Sequence, residues 1–249
     1  MNNQTKGIMI TGIGVIALIP DSLIIRLVDE ATMTVAFWRA GLSGIAITIF
    51  LLITRGPKSL ISFSWPTLFF ATCYAINTIL YVIALSLTSV AATVFLLATA
   101  PVWALIISRI FLKEPFTTRM TLTVIFTMFG IAIISAGSSL NFGAFLGNLA
   151  ALGVAISLAI AFTIARSAPQ ISMIPATALS YIVAAIAVMP FVSSYTMEAM
   201  DWPKMLILGG ALLPLATCFM AIGPRYITSA EVGLFLVLES IFAPILVWY

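Results

Sequence analysis

The chain has 249 residues, of which 62% are apolar and only 8% charged, and its net charge is +3. A soluble domain carries about 25% charged residues, so this chain cannot cover a water-facing surface and belongs in a membrane. It has no histidine and two cysteines, Cys73 and Cys218, both inside apolar runs; this excludes a disulfide framework and a Cys/His metal cluster. No basic cluster speaks for nucleic acid, and no cofactor is expected.

The first apolar run, Ile8 to Leu27, follows a single charge at Lys6. It is too long for the apolar core of a signal peptide and lacks a small-residue cleavage site. A bilayer core of about 30 Å needs roughly 20 apolar residues per helix. Nine such runs follow one another: 8–27, 32–54, 65–86, 90–112, 119–137, 143–165, 173–193, 204–224 and 230–249. The expected fold is therefore an all-α integral membrane protein with short loops. Pro101 and Pro244 fall inside runs, which membrane helices tolerate where neighbours satisfy the freed backbone.

Basic residues orient the chain. With a cytoplasmic N-terminus, Lys6, Arg55, Lys58, Arg109, Lys113, Arg119, Arg166 and Arg225 lie in or beside cytoplasmic segments. Only Arg26 and Lys204 lie outside, while Arg39 is within a run. Such a bias sets orientation by the positive-inside rule.

The stretch Thr88-Ser89-Val90-Ala91-Ala92-Thr93-Val94-Phe95-Leu96 returns in outline as Thr228-Ser229-Ala230-Glu231-Val232-Gly233-Leu234-Phe235-Leu236, 140 positions later. A Trp-Pro pair heads an apolar run upstream of each copy, Trp65-Pro66 and Trp202-Pro203. The chain thus divides into a first repeat, 1–139, holding spans 1–5, and a second, 140–249, holding spans 6–9. An odd number of spans per repeat makes the copies inverted, so Trp65 and Trp202 are expected as interfacial anchors on opposite faces. Shifting the fifth run by 140 lands beyond Tyr249, so a tenth span is expected to be missing. Inverted repeats of this kind build many secondary transporters.

Phe37-Trp38-Arg39-Ala40, the Thr88-Ser89-Val90-Ala91-Ala92 stretch leading to Ala100-Pro101, and Phe111-Leu112-Lys113-Glu114-Pro115 together resemble the EamA-type pattern of the drug/metabolite transporter superfamily. The resemblance covers essentially the whole chain, and the combination of spacing, repeat and topology carries it. It implies a ten-span carrier of two inverted five-helix repeats around a central cavity, of which nine spans are seen here. It implies alternating access for a small organic metabolite (an amino acid, nucleobase or drug-like compound), more often exported, in a bacterial inner membrane. The partners expected are the solute and the lipid bilayer; transport is either coupled to an ion such as H⁺ or facilitated diffusion, and a homodimer is one option for assembly. The lack of a second Glu-Pro turn and of the last span departs from the family. A non-transporting fragment or assembly subunit is the competing reading. An integral-membrane enzyme is disfavoured by the absence of His and the scatter of the acids.

Polar groups in hydrocarbon are costly, and each needs an explanation. Tyr74, Asn77, Thr78 and Tyr81 recur at i, i+3, i+4 and i+7 and share one helix face. That face is read as cavity lining, with interhelical hydrogen bonding as the alternative. Arg39 and Asp21 lie at similar depth on adjacent helices, roughly 10 Å in at about 1.5 Å per residue. They are expected to pair, either to lock two helices or to receive an anionic group of the solute. Glu239, the deepest acid, is a candidate proton-coupling group or cation contact, with structural pairing as the alternative. Trp38, Trp103, Thr99 and Asn148 are weaker candidates, more in keeping with packing; Trp103 is kept among the pathway residues. Gly143, Gly147 and Ala151, and likewise Ala36, Ala40 and Gly44, form small-residue stripes suited to close helix approach.

Overall fold

The computed structural model describes residues 2–60, 64–113, 118, 121–122, 125–126, 128–129 and 142–248. Among these residues the secondary structure is helical, without a strand. The α-helices are α1 (Asn3–Leu18), α2 (Pro20–Leu27), α3 (Thr32–Arg55), α4 (Trp65–Leu87), α5 (Val90–Leu97), α6 (Ala100–Leu112), α7 (Phe142–Ser167), α8 (Ile174–Val188), α9 (Trp202–Ile207), α10 (Leu213–Ile222) and α11 (Ser229–Trp248).

Among the described residues seven helical stretches are long and apolar enough to cross a membrane: Asn3–Leu27, Thr32–Arg55, Trp65–Leu87, Val90–Leu112, Ala144–Ser167, Ile174–Phe191 and Trp202–Arg225. They coincide with expected spans 1–4 and 6–8, and the ninth run forms the 20-residue helix α11. The chain is a multi-pass membrane protein. Most of the expected fifth span lies outside the described residues, and Glu114, Pro115 and Arg119 lie outside them too.

Three of the expected spans are not straight helices. The first divides at Ile19, before Pro20, and the fourth at Ala98-Thr99, before Pro101. The eighth passes through a π-helical turn, Leu208–Leu212, before Pro214. Proline lacks an N–H and its ring crowds the carbonyl four residues back, so each break sits just upstream of one. At the second break the freed backbone is served locally. Thr99 N donates to Leu96 O at 3.0 Å, and the Thr99 hydroxyl donates to the same carbonyl at 2.6 Å. Trp103 Nε1 donates to Thr99 Oγ1 at 3.1 Å.

Lipid tails are as apolar as leucine, so helix association here rests on close packing and polar contacts. The stripes do this work. A Cβ on Gly44 would lie 2.9 Å from Ile182 Cγ1 and 3.1 Å from the Ile182 backbone N, so α3 and α8 touch there. A Cβ on Gly147 would lie 2.9 Å from the Thr88 backbone N, where α7 meets the end of α4. The main helix contacts are α4 with α7 and α8, α3 with α8, α1 with α10, and α5 and α6 with both α7 and α11.

Polar contacts gather at the two ends of the bundle. At one end Arg26 donates to Thr88 O at 2.5 Å, and Lys204 Nζ pairs with Asp201 Oδ1 at 2.6 Å. Asp201 Oδ2 also accepts from Asp29 N at 3.3 Å, and Glu30 Oε1 accepts from Glu198 N at 2.9 Å. At the opposite end Arg225 donates to Pro169 O at 2.5 Å and Arg166 to Pro224 O at 3.3 Å, while Lys6 lies 5.0 Å from the Tyr226 ring centroid. The two Trp-Pro heads differ. Trp65 is 75% exposed. Trp202 instead meets Trp38 edge-on, ring centroids 4.7 Å apart, and helps close its end of the bundle.

Candidate functional site

All of the helices α1–α11 except α6 and α9 contribute to one central cavity. It is lined by Leu18, Asp21, Arg39, Tyr74, Asn77, Thr78, Tyr81, Leu97, Val154, Leu158, Tyr181, Leu213, Thr217, Met220, Leu236 and Glu239. The space open to a water-sized sphere is about 30 Å³. That holds on the order of one or two waters and is too small for a metabolite. This conformation is closed around its centre.

The break before Pro20 sets Asp21 in the first turn of α2, facing Arg39 from α3. Arg39 Nε donates to Asp21 Oδ1 at 3.1 Å and Nη2 to Oδ2 at 2.5 Å, a two-pronged ion pair with both residues buried. The planar guanidinium matches the carboxylate fork, which a lysine would not. The Arg39 guanidinium carbon also lies 5.3 Å from the Tyr81 ring centroid, within cation–π range. Tyr81 in turn donates its hydroxyl to Glu239 Oε1 at 3.0 Å. Asp21, Arg39, Tyr81 and Glu239 thus form one polar chain across four helices.

The chain is incomplete at two atoms. Arg39 Nη1 and Glu239 Oε2 are buried without a hydrogen-bond partner. A buried polar group left unpaired is costly, and a charged one more so. The site therefore offers one strong donor and one strong acceptor in the middle of a membrane.

Tyr74 stacks on Phe70 with centroids 5.4 Å apart and meets Tyr181 edge-on at 6.2 Å. Asn77 lines the cavity and also donates Nδ2 to Val154 O at 3.2 Å, so it serves both roles weighed for its face. Seven of the eight expected pathway residues converge here. Trp103 does not: it lies part-buried on α6 in a small cluster with Ala159 of α7 and Ala230 of α11, its indole donating to Thr99. Asn148 lies apart as well, accepting from the Thr88 hydroxyl at 3.2 Å. Trp38 donates Nε1 to Tyr195 O at 3.0 Å at the closed end. Tyr181 and Thr217 belong to the lining and escaped the sequence reading. Thr177, Ser180 and Tyr181 make a helical polar face like that of α4, and Thr217 stands 140 positions after Asn77. The first signal points to Tyr181 and the second to Thr217. Among the described residues no group of three or more His, Cys, Asp or Glu side chains is placed to hold a metal ion.

The family model of the EamA-like transporter family matches residues 9–136, just over half of the chain. This chain belongs to the EamA-like transporter family. It is accordingly a membrane transporter of the drug/metabolite type, acting on a small-molecule substrate in a lipid bilayer. A solved structure described only as "Crystal structure of protein" matches this EamA-like chain with a TM-score of 0.78 at 15% identity. The match covers 98% of this chain and 87% of that one and speaks for the fold. Among curated proteins none matches.

Proposed function

We infer that this chain is a secondary carrier whose central cavity binds a small zwitterionic metabolite, of which an amino acid is the simplest case. One observation carries the reading. Arg39 Nη1 and Glu239 Oε2, both buried and both unpartnered, line the same cavity. A carboxylate on the solute would complete Arg39, and an ammonium would complete Glu239. A nucleobase offers neutral donors and acceptors and would bring no positive charge to Glu239, the charge that lacks a counter-ion in the cavity.

The carrier works by alternating access. Each end of the bundle is held shut by its own contacts, Trp38–Trp202 and Asp29–Asp201 at one, Arg225–Pro169 and Arg166–Pro224 at the other. A solute enters when one set opens and leaves when the other does. Glu239 couples the cycle to protons: it holds a proton or the solute's ammonium group, and exchanges one for the other. The end bearing Arg55, Arg166 and Arg225 faces the cytoplasm of a bacterial cell, the membrane is the inner one, and net flow is outward.

The architecture is two inverted repeats, 1–139 and 140–249. The helix contacts support this. A shift of five spans turns the contact of span 3 with span 6 (α4 with α7) into that of span 8 with span 1 (α10 with α1). The same shift leaves the contacts of spans 2 and 7 and of spans 4 and 9 unchanged. The cavity lining follows the same rule, since Leu18 and Leu158 and likewise Asn77 and Thr217 are 140 apart. The charges break the symmetry, because Leu179 and Thr99 stand where repeats of Arg39 and Glu239 would be.

The test is counterflow in proteoliposomes loaded with unlabelled amino acids, nucleobases or neutral amphiphiles. Trapped amino acids should drive accumulation of labelled amino acid and the others should not. Counterflow driven by nucleobases alone would overturn the zwitterion reading.

A further inference from the structure

A second cavity, of about 430 Å³, opens on the outer flank of the bundle between α3, the start of α8, and the π turn with α10. It is separate from the central site and shares no lining residue with it. Its walls are apolar side chains such as Ile47, Phe50, Leu215 and Phe219, with Arg55 at its end. Its depth comes from the bent eighth span. Gly210 and Ala211 sit in the π turn, and a Cβ on Gly210 would meet nothing within 4 Å.

We propose that this cleft binds one anionic phospholipid, an acyl chain lying along α3 and the phosphate resting on Arg55. Three observations argue for that occupant. The lining of α3 runs from Ala46 to Arg55, roughly 13 Å at about 1.5 Å per residue, so it reaches from a helix end into the hydrocarbon layer. Arg55 is the one charge in the lining and stands where α3 leaves the membrane, at headgroup depth. Ile174, the first residue of α8, also lines the cleft beside Arg55. No side chain caps that helix start, and its partial positive charge adds to that of the guanidinium. Basic pockets between membrane helices favour anionic headgroups.

The site is tested on the full chain in detergent, titrated with phosphatidylglycerol and separately with phosphatidylcholine, with bound lipid counted by native mass spectrometry. The wild type should retain one lipid and prefer phosphatidylglycerol. Arg55→Gln should cut that preference about fivefold while keeping the tail. Gly210→Phe should fill the cleft and remove both lipids. Gly41→Phe, at an open position outside the cleft, should bind as the wild type does. Arg55→Gln leaves the helix packing alone, so it is readable even where Gly210→Phe does not fold. Equal retention of the two lipids by the wild type, an unchanged preference in Arg55→Gln, or a dimer without bound lipid would each overturn the proposal.

Discussion

The hydroxyl of Tyr81 donates to Glu239 Oε1 at 3.0 Å, joining the polar face of α4 to the deepest acid of the chain. The two residues are 158 positions apart, on helices assigned to different repeats. Tyr81→Phe removes the donor and keeps the ring. Losing a hydrogen bond to a charged group costs about 1.5–3 kcal/mol. The expected outcome is a fall in kcat/KM of about ten- to a hundredfold, measured as initial flux in proteoliposomes with protein levels matched. An unchanged flux would remove Tyr81 from the pathway.

The Asp21–Arg39 pair predicts an asymmetric set of variants. Asp21→Asn leaves a buried guanidinium without its counter-charge, which costs about 3–5 kcal/mol. Lower thermal stability in detergent and little folded protein are expected. Charge reversal at both sites, D21R with R39D, should recover much of the loss that either reversal causes alone. Failure of the double variant to improve on the singles would contradict a direct pair.

Closure of one bundle end predicts a lockable gate. Asp29 and Asp201 are in contact through a 3.3 Å hydrogen bond. With Cys73 and Cys218 first replaced by Ala, Asp29→Cys with Asp201→Cys should cross-link under mild oxidation and stop flux. Reduction should restore it. Flux that persists in the cross-linked protein would mean that this end does not open during transport.

Close helix contact predicts a steric limit at Gly44. A larger side chain meets both the side chain and the backbone of Ile182. Gly44→Leu should lower stability by about 1–3 kcal/mol, read as an earlier unfolding midpoint. Gly41→Leu, whose Cβ would meet nothing within 4 Å, should leave the midpoint unchanged.

Much of this was legible in the sequence. Hydropathy located the helices because the bilayer fixes their length. Equal depth on neighbouring helices predicted the Asp21–Arg39 pair, since neither charge could stay alone there. Four polar residues at helical spacing predicted the face that α4 turns to the cavity. The breaks were harder to see, because proline is tolerated in membrane helices and its presence alone does not say where the backbone yields. Tyr181 and Thr217 were missed because small hydroxyl residues such as Thr177, Ser180 and Thr217 in apolar helices resemble ordinary interhelical bonding. Trp103 was expected near the solute, but it does not line the central cavity, and its indole donates to Thr99, one turn back at the break before its helix. Trp202 was expected as an interfacial anchor; hydropathy gives no sign of the ring it meets, which is that of Trp38.

The central claim is that solute and proton share Glu239 in this cavity. The most direct measurement is labelled amino-acid flux in proteoliposomes of wild type and Glu239→Gln, across imposed pH gradients of either sign. The wild type should give saturable flux that grows with the gradient and reverses with its sign. Glu239→Gln should lose that dependence while still folding and being recovered in the lipid fraction. A Glu239→Gln protein whose flux follows the pH gradient as the wild type does would contradict the account.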